Sequence, residues 1–395
     1  MKYTPLSYEV NLREGVVIEL GSLFAALCVL HDKRDARGLR YALVTVLVFI
    51  LLAKLSGQDH LRGIAQWVRL RQERLAEALG LVKVQAPHAT TYGRVLRKAI
   101  DVGEYEHLAR AFFGSQPKAG QSVSVCIDGK TLRGTIPAGQ SQGLHLLAAF
   151  LPEEGWVLMQ VEVQGHENEI PAAGRMVQCI DLRNKIITGD AQLAQRELSM
   201  QVVEAGGEYV WVVKDNQPQL RADIAALFDP EECTPGFSPT PKDFDTAQSF
   251  GKGHGRLERR TLTSSCMLKG YVDWPYAEQV FRIERRLVRT SDGLVEQETT
   301  YGVTSLTHTE ADAERLLRLV RGHWGIENGL HYRRDETLRE DRCRITGQGA
   351  HVMAIINNLV LGLLLRQGVT NVPDARRYYD ANPEEAVELL FLALT

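Results

Sequence analysis

The sequence predicts a mixed α/β fold behind a helical N-terminal region, because the spacing of its apolar residues changes along the chain. Residues 1–115 place apolar residues at helical intervals, and charged loops that contain glycine separate these segments. From Gln121 the apolar period becomes two, and the segments that follow predict the element order β-β-β-α-β-α-β. Parallel crossovers are right-handed and consecutive elements are usually neighbours, so we expect the fourth strand to lie beside the first and parallel to it.

The composition is that of a globular protein with a large core, since 44% of the 395 residues are hydrophobic and 24% are charged. This length is typical of two or three domains. The net charge of −3 does not indicate a nucleic-acid-binding protein, although a whole-chain sum can conceal basic patches. The six cysteines have no paired spacing, so we expect neither a zinc site nor a disulfide framework, and a reducing cytosol fits.

No segment has the pattern of a signal peptide or a membrane span. The longest apolar run, Tyr41–Ala53, is shorter than the roughly 20 residues that a spanning helix needs, and Lys54 follows it. We interpret this run as a buried helix and expect no membrane contact.

A short basic helix in the N-terminal region is a candidate DNA-binding element. Thr90 or Thr91 can cap the segment YGRVLRKAI, and a second short helix follows at residues 102–113. The first helix carries three cations, Arg94, Arg97 and Lys98. Such a pair of helices could form a DNA-binding unit. The alternative is a solvated basic face on an ordinary helical bundle, which composition alone slightly favours.

Two aspartates lie on strands that we expect to be neighbours. Asp128 lies on the small-residue face of SVSVCIDGK, and Asp190 ends the short buried strand KIITGD. If the first and fourth strands pair, the two carboxylates face each other. The alternative for each aspartate alone is a turn or cap at a strand end.

A third acid interrupts an apolar helical stripe. The stripe consists of Leu316, Leu317, Val320 and Trp324. Its next positions are Glu327 and His331, so we expect Glu327 to point toward the core. A carboxylate that faces a core is costly unless a metal ion or an arginine pairs with it. The alternative is a helix that becomes solvated after Trp324.

A β-rich stretch separates the fifth strand from this acid. Its predicted strands are RLERRTLTSS, QVFRIERRLVR and VEQETTYGVTSL, and Ser291–Gly293 predicts a hairpin turn between the last two. The Pro- and Gly-rich DPEECTPGFSPTPKDFDTAQSFGKGHG before them predicts a loop. The predicted organisation is an N-terminal helical domain at 1–115, a core at 120–226 and 307–370, a β-rich insertion at 227–306 and a C-terminal helical tail at 371–395.

The three acids form an all-oxygen set that suits hard divalent cations. Two Mg²⁺ ions (or Mn²⁺) about 4 Å apart would activate a water or a sugar hydroxyl at a phosphodiester and stabilise the leaving oxygen. Candidate phosphate-binding cations nearby are Lys130, Arg133, Lys214, Arg321 and Arg334. Each of these cations alone is also consistent with a solvated surface charge.

Several collinear motifs resemble one enzyme family. DGKTLRG, NEIPA, ITGDAQLAQ, YVWVVKDNQPQL, HGRLERR and RGHWGIEN occur in this order and resemble the DDE transposases of insertion sequences, in the ISAs-type group that includes the H-repeat-associated proteins. The resemblance covers nearly the whole chain. It implies a ribonuclease H-like core with a β-rich insertion between the second aspartate and the glutamate. It also implies that Asp128, Asp190 and Glu327 bind two Mg²⁺ ions.

The segment around the third acid departs from the wider superfamily, which carries Tyr, Arg, Glu and Lys there. At that spacing this chain has Val320, His323, Glu327 and Arg334. Arg321 and His323 could take over the contacts to the transferred phosphates. Asp335, Glu340 and Asp341 also lie nearby, so the third metal ligand stays open between Glu327 and these acids.

The resemblance implies a transposase that acts on double-stranded DNA in the bacterial cytosol. Such an enzyme would bind the terminal inverted repeats of its element, cut there and join the ends to a target, as a homodimer assembled on DNA. One alternative is a metal-dependent nuclease that does not join DNA. The other is an inactive relic that only binds DNA.

Overall fold

The computed structural model describes residues 21–35, 37, 39–113, 122–165, 167–229, 242–253 and 255–392. The N-terminal region is helical, as predicted. Its helices are α1 Leu23–Cys28, α2 Leu43–Leu55, α3 Leu61–Leu70, α4 Gln72–Ala78, α5 Ala89–Lys98 and α6 Val102–Phe113. Almost every residue of α2 is buried, which confirms the interpretation of the apolar run that begins at Tyr41. The cap of α5 is His88, which accepts from Thr90 N, so the prediction of a threonine cap is wrong.

The central sheet begins with five strands in the predicted order. These strands are β1 Val123–Thr131, β2 His145–Leu151, β3 Trp156–Val163, β4 Lys185–Gly189 and β5 Glu208–Val213. The helices α7 Glu169–Cys179 and α8 Arg196–Glu204 precede and follow β4, and α9 Pro218–Phe228 follows β5. The spatial order is β3-β2-β1-β4-β5, with β4 parallel to both β1 and β5 and β2 antiparallel to its two neighbours. This is the ribonuclease H arrangement, and the expected pairing of the first and fourth strands is confirmed.

The β-rich stretch continues the same sheet. It forms β6 Asp245–Gly253, β7 Arg256–Ser265, β8 Gln279–Arg289 and β9 Val295–Thr304. These strands extend the sheet antiparallel beyond β5, in the order β5-β9-β8-β7-β6. The three predicted strands and the hairpin turn at 291–293 are confirmed. The prediction of a loop over the whole preceding segment is wrong, because β6 pairs with β7 along its full length although its own sequence is polar and glycine-rich.

The last three helices of the described chain pack against the N-terminal helices. They are α11 Gln348–Arg366, α12 Val372–Ala381 and α13 Pro383–Phe391, and irregular π and 3-10 turns link α11 to the preceding helix, α10 Ala313–His323. Helix α11 packs against α5, α6 and β3, whereas α12 and α13 pack against α2 and α4. Polar contacts strengthen this packing, since Trp67 donates to Asp380 at 2.7 Å and Arg376 to Asp59 at 2.6 Å. The C-terminal segment is therefore part of the N-terminal helical bundle.

Helix α11 is the one described helix that is long and apolar enough to cross a membrane. However, 89% of its most apolar window is buried inside the protein. Its buried residues contact helices of the bundle on one side and the sheet on the other. Its apolar surface is thus accounted for by packing.

Candidate active site

The first two acids lie side by side at the ends of neighbouring strands. The parallel register of β1 and β4 ends at Ile127 opposite Gly189, and Asp128 and Asp190 are the next residues of the two chains. Asp190 also caps the turn Ala191–Leu193, because its Oδ1 accepts from the backbone N–H groups of two turn residues at 3.0 and 3.2 Å. Its Oδ2 has no hydrogen-bond partner among the described residues. One oxygen therefore fixes the side chain, and the other stays available to a ligand.

The third acid, Glu327, follows a break in the helix that begins with α10. Helix α10 ends at His323, and the chain continues through a glycine into a π-helical turn that starts at Glu327. The expectation that Trp324 and Glu327 face the core is wrong, because the break shifts the helical phase. Trp324 is 45% exposed and Glu327 is exposed, while Ile326 and Leu330 are each 1% exposed.

One cavity collects all three acids. Its volume is about 300 Å³, and Asp128, Asp190 and Glu327 all line it. The cationic and aromatic residues of its wall are Lys214, Arg260, Arg285, Arg321, His323 and Trp324. Within the described ranges, no three His, Cys, Asp or Glu side chains are already arranged to hold a metal ion. The acids therefore share a space without forming a closed set of ligands.

The charges of the acids act on one another and on His323. The pKa of Asp190 is raised, first by partial burial and then by the negative charges of Glu169 and Asp128, although two backbone hydrogen bonds oppose the shift. Burial lowers the pKa of His323, and the three acids of the cavity all oppose this effect. His323 Nδ1 lies 3.2 Å from the hydroxyl of Thr188. A neutral imidazole is thus held among three carboxylates.

A second histidine contacts the first acid directly. His331 Nε2 lies 3.2 Å from Asp128 Oδ2, and the histidine side chain is 13% exposed. Neither of its ring nitrogens has an aligned hydrogen bond within the described part of the chain. The sequence placed His331 only on the apolar stripe, so periodicity gave no signal for this contact.

Two of the predicted phosphate-binding cations are engaged elsewhere. The side chain of Lys130 is 9% exposed and forms ion pairs with Asp335 and, at 3.9 Å, with Asp341. Arg334 is 1% exposed and donates to both carboxylate oxygens of Glu340 at 2.8 and 2.9 Å. The structure contradicts the expectation that these two cations contact phosphates, because neither is free to reach solvent.

These ion pairs also bear on the choice of the third acid. Asp335 is paired with Lys130, and Glu340 is buried against Arg334. Asp341 accepts from the backbone N–H of Arg133 at 3.0 Å. None of these three acids lines the cavity, whereas Glu327 does.

The other predicted cations remain accessible. Lys214 and Arg321 are exposed and line the cavity, as does the more buried His323. The side chain of Arg133 is 81% exposed at the edge of the loop that follows β1. Lys214 and Arg321 are therefore the cations best placed to face a phosphate beside the acids.

A stacked group of two arginines and a tryptophan forms one wall of the cavity. Arg260 on β7 and Arg285 on β8 are register partners, and their guanidinium carbons lie 4.9 and 5.4 Å from the ring centre of Trp324. Glu258 pairs with both arginines. The pairing of β7 with β8 decides which arginines of these strands reach the cavity.

The basic helix of the N-terminal region lies at a separate groove. Arg94, Arg97 and Lys98 are all exposed on α5. A groove of about 630 Å³ beside this helix is lined by Arg94 and Lys98 and by cations of the segment between α1 and α2, namely Arg34, Arg37 and Arg40. Asp32 neutralises Arg34, but the other four cations have no ion pair within the described ranges. This groove shares no lining residue with the acidic cavity.

A ribonuclease H strand order with Asp128, Asp190 and Glu327 around one cavity defines a class of enzymes that act on polynucleotide phosphodiesters. Residues 120–363 match the family described as "Transposase DDE domain", and residues 24–113 match the associated region described as "DDE_Tnp_1-associated". The chain belongs to this DDE transposase family, whose members are polynucleotidyl transferases and endonucleases that generally use divalent metal ions.

Relatives from Escherichia coli align over most of the chain. "Putative transposase YncI" of strain O157:H7 is 27% identical over 88% of this chain and 88% of its own length. "H repeat-associated putative transposase YhhI" of strain K12 is 24% identical over 89% of this chain and 92% of its own length. The predicted resemblance to the H-repeat-associated group is confirmed.

A solved structure, a cryo-EM synaptic complex of piggyBac transposase with hairpin DNA, superposes with a TM-score of 0.43. It is 11% identical, and the match covers 94% of this chain and 77% of that chain. The assignment of the fold rests on the strand order and the family match.

Proposed function

We propose that this protein binds the terminal inverted repeats of an insertion sequence, cuts the DNA there and joins the ends to a target. The observation that carries the proposal is the convergence of Asp128, Asp190 and Glu327 on one cavity whose rim holds Lys214 and Arg321. Acids alone would repel DNA, and cations alone would only bind it. Their combination suits the hydrolysis and transfer of phosphodiesters.

The acids fit divalent cations by their chemistry. All three offer carboxylate oxygens, the donors that Mg²⁺ and Mn²⁺ prefer, and one oxygen of Asp190 is uncommitted. Burial raises the pKa of Asp190 first and the negative charges nearby raise it further, and a bound cation would offset this repulsion. A pair of Mg²⁺ ions held by Asp128, Asp190 and Glu327 would activate the attacking oxygen and stabilise the leaving oxygen.

The other residues of the cavity hold and orient the DNA. Lys214 and Arg321 attract the phosphates that flank the scissile bond, since both are exposed at the rim. His323, with its lowered pKa, is neutral near pH 7 and offers a hydrogen bond rather than a positive charge. Trp324 and the two arginines stacked on its ring form one side of the cavity. They limit the path that a DNA strand can take past the acids.

Recognition of the element ends belongs to the N-terminal region in this proposal. The uncompensated cations Arg94 and Lys98 line a groove beside α5, and Arg97 is exposed on the same helix. Double-stranded DNA is the polyanion that such a groove would accept. Two element ends must be brought together for joining, so we propose a homodimer on the DNA in the bacterial cytosol.

A joining assay tests the proposal. Purified protein is mixed with labelled element-end DNA, Mg²⁺ and a target plasmid, and Asp128→Asn serves as the inactive control. Joined products that require wild-type acids are the expected result. Cut products without joining would indicate a nuclease, and a shifted band without chemistry would indicate a relic that only binds DNA.

A further inference from the structure

Lys130 is a cation of the motif DGKTLRG to which the proposed function assigns no task. It follows Asp128 by two positions on β1, so the two side chains lie on the same face of the strand. The side chain of Lys130 is only 9% exposed, and its ammonium group forms an ion pair with Asp335. A second acid, Asp341, lies further away at 3.9 Å. The lysine is therefore directed into the protein.

The partner of this lysine lies on the helical segment that carries the third acid. Residues 325–337 are helical without interruption, and π turns make up most of the segment. Such π turns are rare and occur frequently at functional sites. Glu327 lies near the start of the segment and Asp335 near its end. A contact of Asp335 therefore acts on the same helical element as Glu327.

Two contacts place one face of this segment along β1. His331 lies four positions from both Glu327 and Asp335. Side chains four positions apart on a helix are about 5–6 Å apart, and those two positions apart on a strand are about 6.5 Å apart. Because these spacings nearly match, His331 can contact Asp128 at 3.2 Å while Asp335 pairs with Lys130. Glu327 is then one turn further along the same face, at the cavity.

The ion pair is the stronger of these two contacts with β1. Neither ring nitrogen of His331 has an aligned hydrogen bond in the described part of the chain. A largely buried ion pair is weakened less by water and salt than an exposed one. On the other side of the segment, Arg334 pairs with Glu340, and Arg376 of α12 donates to the carbonyl oxygen of Thr337. The segment is therefore held between the helices and β1.

We propose that Lys130 is a positioning residue for the reaction, because its ion pair with Asp335 sets the distance between the first and the third acid. This inference rests on the proposed function, in which Asp128 on the sheet and Glu327 on a helix serve one cavity. Acids on different elements keep a constant separation only if those elements are fixed to each other. Two simpler accounts are that Lys130 contacts a DNA phosphate and that the ion pair only stabilises the fold.

The experiment breaks the ion pair from either side in the full-length protein. Lys130→Gln and Asp335→Asn each remove one partner, and the double variant removes both. Lys269→Gln is the control, since Lys269 also pairs with a carboxylate, Glu278, but neither residue lines the cavity. Three quantities are measured: the single-turnover rate of cleavage of labelled element-end DNA at saturating protein in Mg²⁺, the Kd for the same DNA in EDTA, and the hydrogen exchange of residues 325–337 without metal or DNA.

We expect both single variants to cut more slowly than wild type. A displacement of about 1 Å in a site can cost about a hundredfold in rate, so the rate should fall at least about tenfold. The double variant should be no slower than either single variant, because the two residues act as a unit. The Kd for DNA in EDTA should stay close to the wild-type value. Hydrogen exchange of residues 325–337 should become faster in Lys130→Gln and Asp335→Asn but not in Lys269→Gln.

The measurements distinguish the proposal from the two simpler accounts. Weaker DNA binding in Lys130→Gln but not in Asp335→Asn would show a phosphate contact and overturn the inference. Faster exchange together with a wild-type cleavage rate would show a pair that only stabilises the fold, and this also overturns it. If both single variants cut like Lys269→Gln while Asp128→Asn stays inactive, the inference fails and the proposed function stands.

Two further outcomes are also decisive. If wild type does not cut element-end DNA, the proposed function fails, and unchanged hydrogen exchange in both single variants then overturns the positioning as well. If circular dichroism shows that Lys130→Gln does not fold, Asp335→Asn decides, because the side chain of Asp335 is 29% exposed and tolerates replacement better. A wild-type cleavage rate in Asp335→Asn would overturn the inference.

Discussion

Arg334 and Glu340 form a two-point ion pair in which the side chains are 1% and 2% exposed. Asn357 donates a further hydrogen bond to Glu340 at 2.7 Å. Removal of one partner leaves a buried charge without compensation, which costs about 3–5 kcal/mol. We expect Arg334→Met to lower the free energy of unfolding by about that amount in urea denaturation, whereas Arg344→Met, at an exposed position nearby, should change it by less than about 0.5 kcal/mol. If both variants lost a similar free energy of unfolding, the buried Arg334–Glu340 pair would not be the source of the loss.

The same pair predicts a pH dependence of stability. Burial raises the pKa of Glu340, but the charge and hydrogen bonds of Arg334 outweigh it, so the net pKa lies below the ordinary value of 4.5. A lowered folded-state pKa stabilises the protein above the unfolded-state pKa, and this stabilisation is lost as the pH falls through the folded-state pKa. The difference in unfolding free energy between wild type and Glu340→Gln should therefore be largest at neutral pH and shrink below about pH 4.5. If the difference in unfolding free energy between wild type and Glu340→Gln did not change with pH, the lowered pKa of Glu340 would not be its cause.

Removal of the charge of a cavity acid should separate chemistry from binding. We expect Asp128→Asn and Asp190→Asn to abolish cleavage while DNA binding is largely kept, because the acids serve the metal ions and repel the phosphates. Asparagine is chosen because its side-chain oxygen can still cap the turn after β4. Asp215→Asn is the control, since Asp215 also follows a strand but its side chain is 96% exposed. Normal cleavage of element-end DNA by Asp128→Asn in Mg²⁺ would refute the mechanism.

Cations of the two regions should differ in what they contribute to DNA binding. Base contacts specify a sequence, whereas phosphate contacts position the DNA. Arg94→Ala should reduce the preference for element ends over random DNA, and Arg321→Ala should weaken both about equally and flatten the salt dependence. Titrations with cognate and random duplexes at two salt concentrations measure these effects, with Arg69→Ala on the exposed face of α3 as the control. Equal loss on both duplexes in Arg94→Ala would show that recognition lies elsewhere.

Two helical glycines should respond in opposite ways to the same substitution. A Cβ at Gly362 on α11 would lie 2.5 to 3.0 Å from the ring of Phe113, whereas a Cβ at Gly322 on α10 meets nothing within 4 Å. Alanine favours a helix by about 1 kcal/mol over glycine, and overpacking costs about 1–3 kcal/mol. Gly322→Ala should raise the melting temperature and Gly362→Ala should lower it in thermal denaturation. An increase in both would mean that Phe113 moves aside freely.

The adjacency of Asp128 and Asp190 could be predicted because it follows from local patterns. Two short strands, a helix between them and the right-handed crossover leave one simple way to pair them. For Glu327 the predicted direction of the side chain is wrong, because it is exposed and does not face the core. A helix that breaks after His323 changes phase, and the apolar stripe does not reveal such a break.

Contacts between distant residues were beyond the reach of the sequence. Lys130 meets Asp335, 205 positions away, so a cation next to the first acid could not be recognised as already neutralised. Strand β6 has no apolar alternation of its own and exists because β7 pairs with it. In both cases the stabilising interaction is with a residue or strand that is distant in the sequence. Its position is defined only by the folded chain.

The packing of α12 and α13 against α2 and α4 has a consequence for protein synthesis. The N-terminal helices leave the ribosome before the sheet does, but α12 and α13, which pack against them, are made after the sheet. The bundle that carries α5 therefore stays incomplete while the sheet is being synthesised. A nascent chain should bind DNA poorly until α13 has left the exit tunnel, and a product truncated before α12 should be a substrate for proteases rather than a competitor for the same DNA.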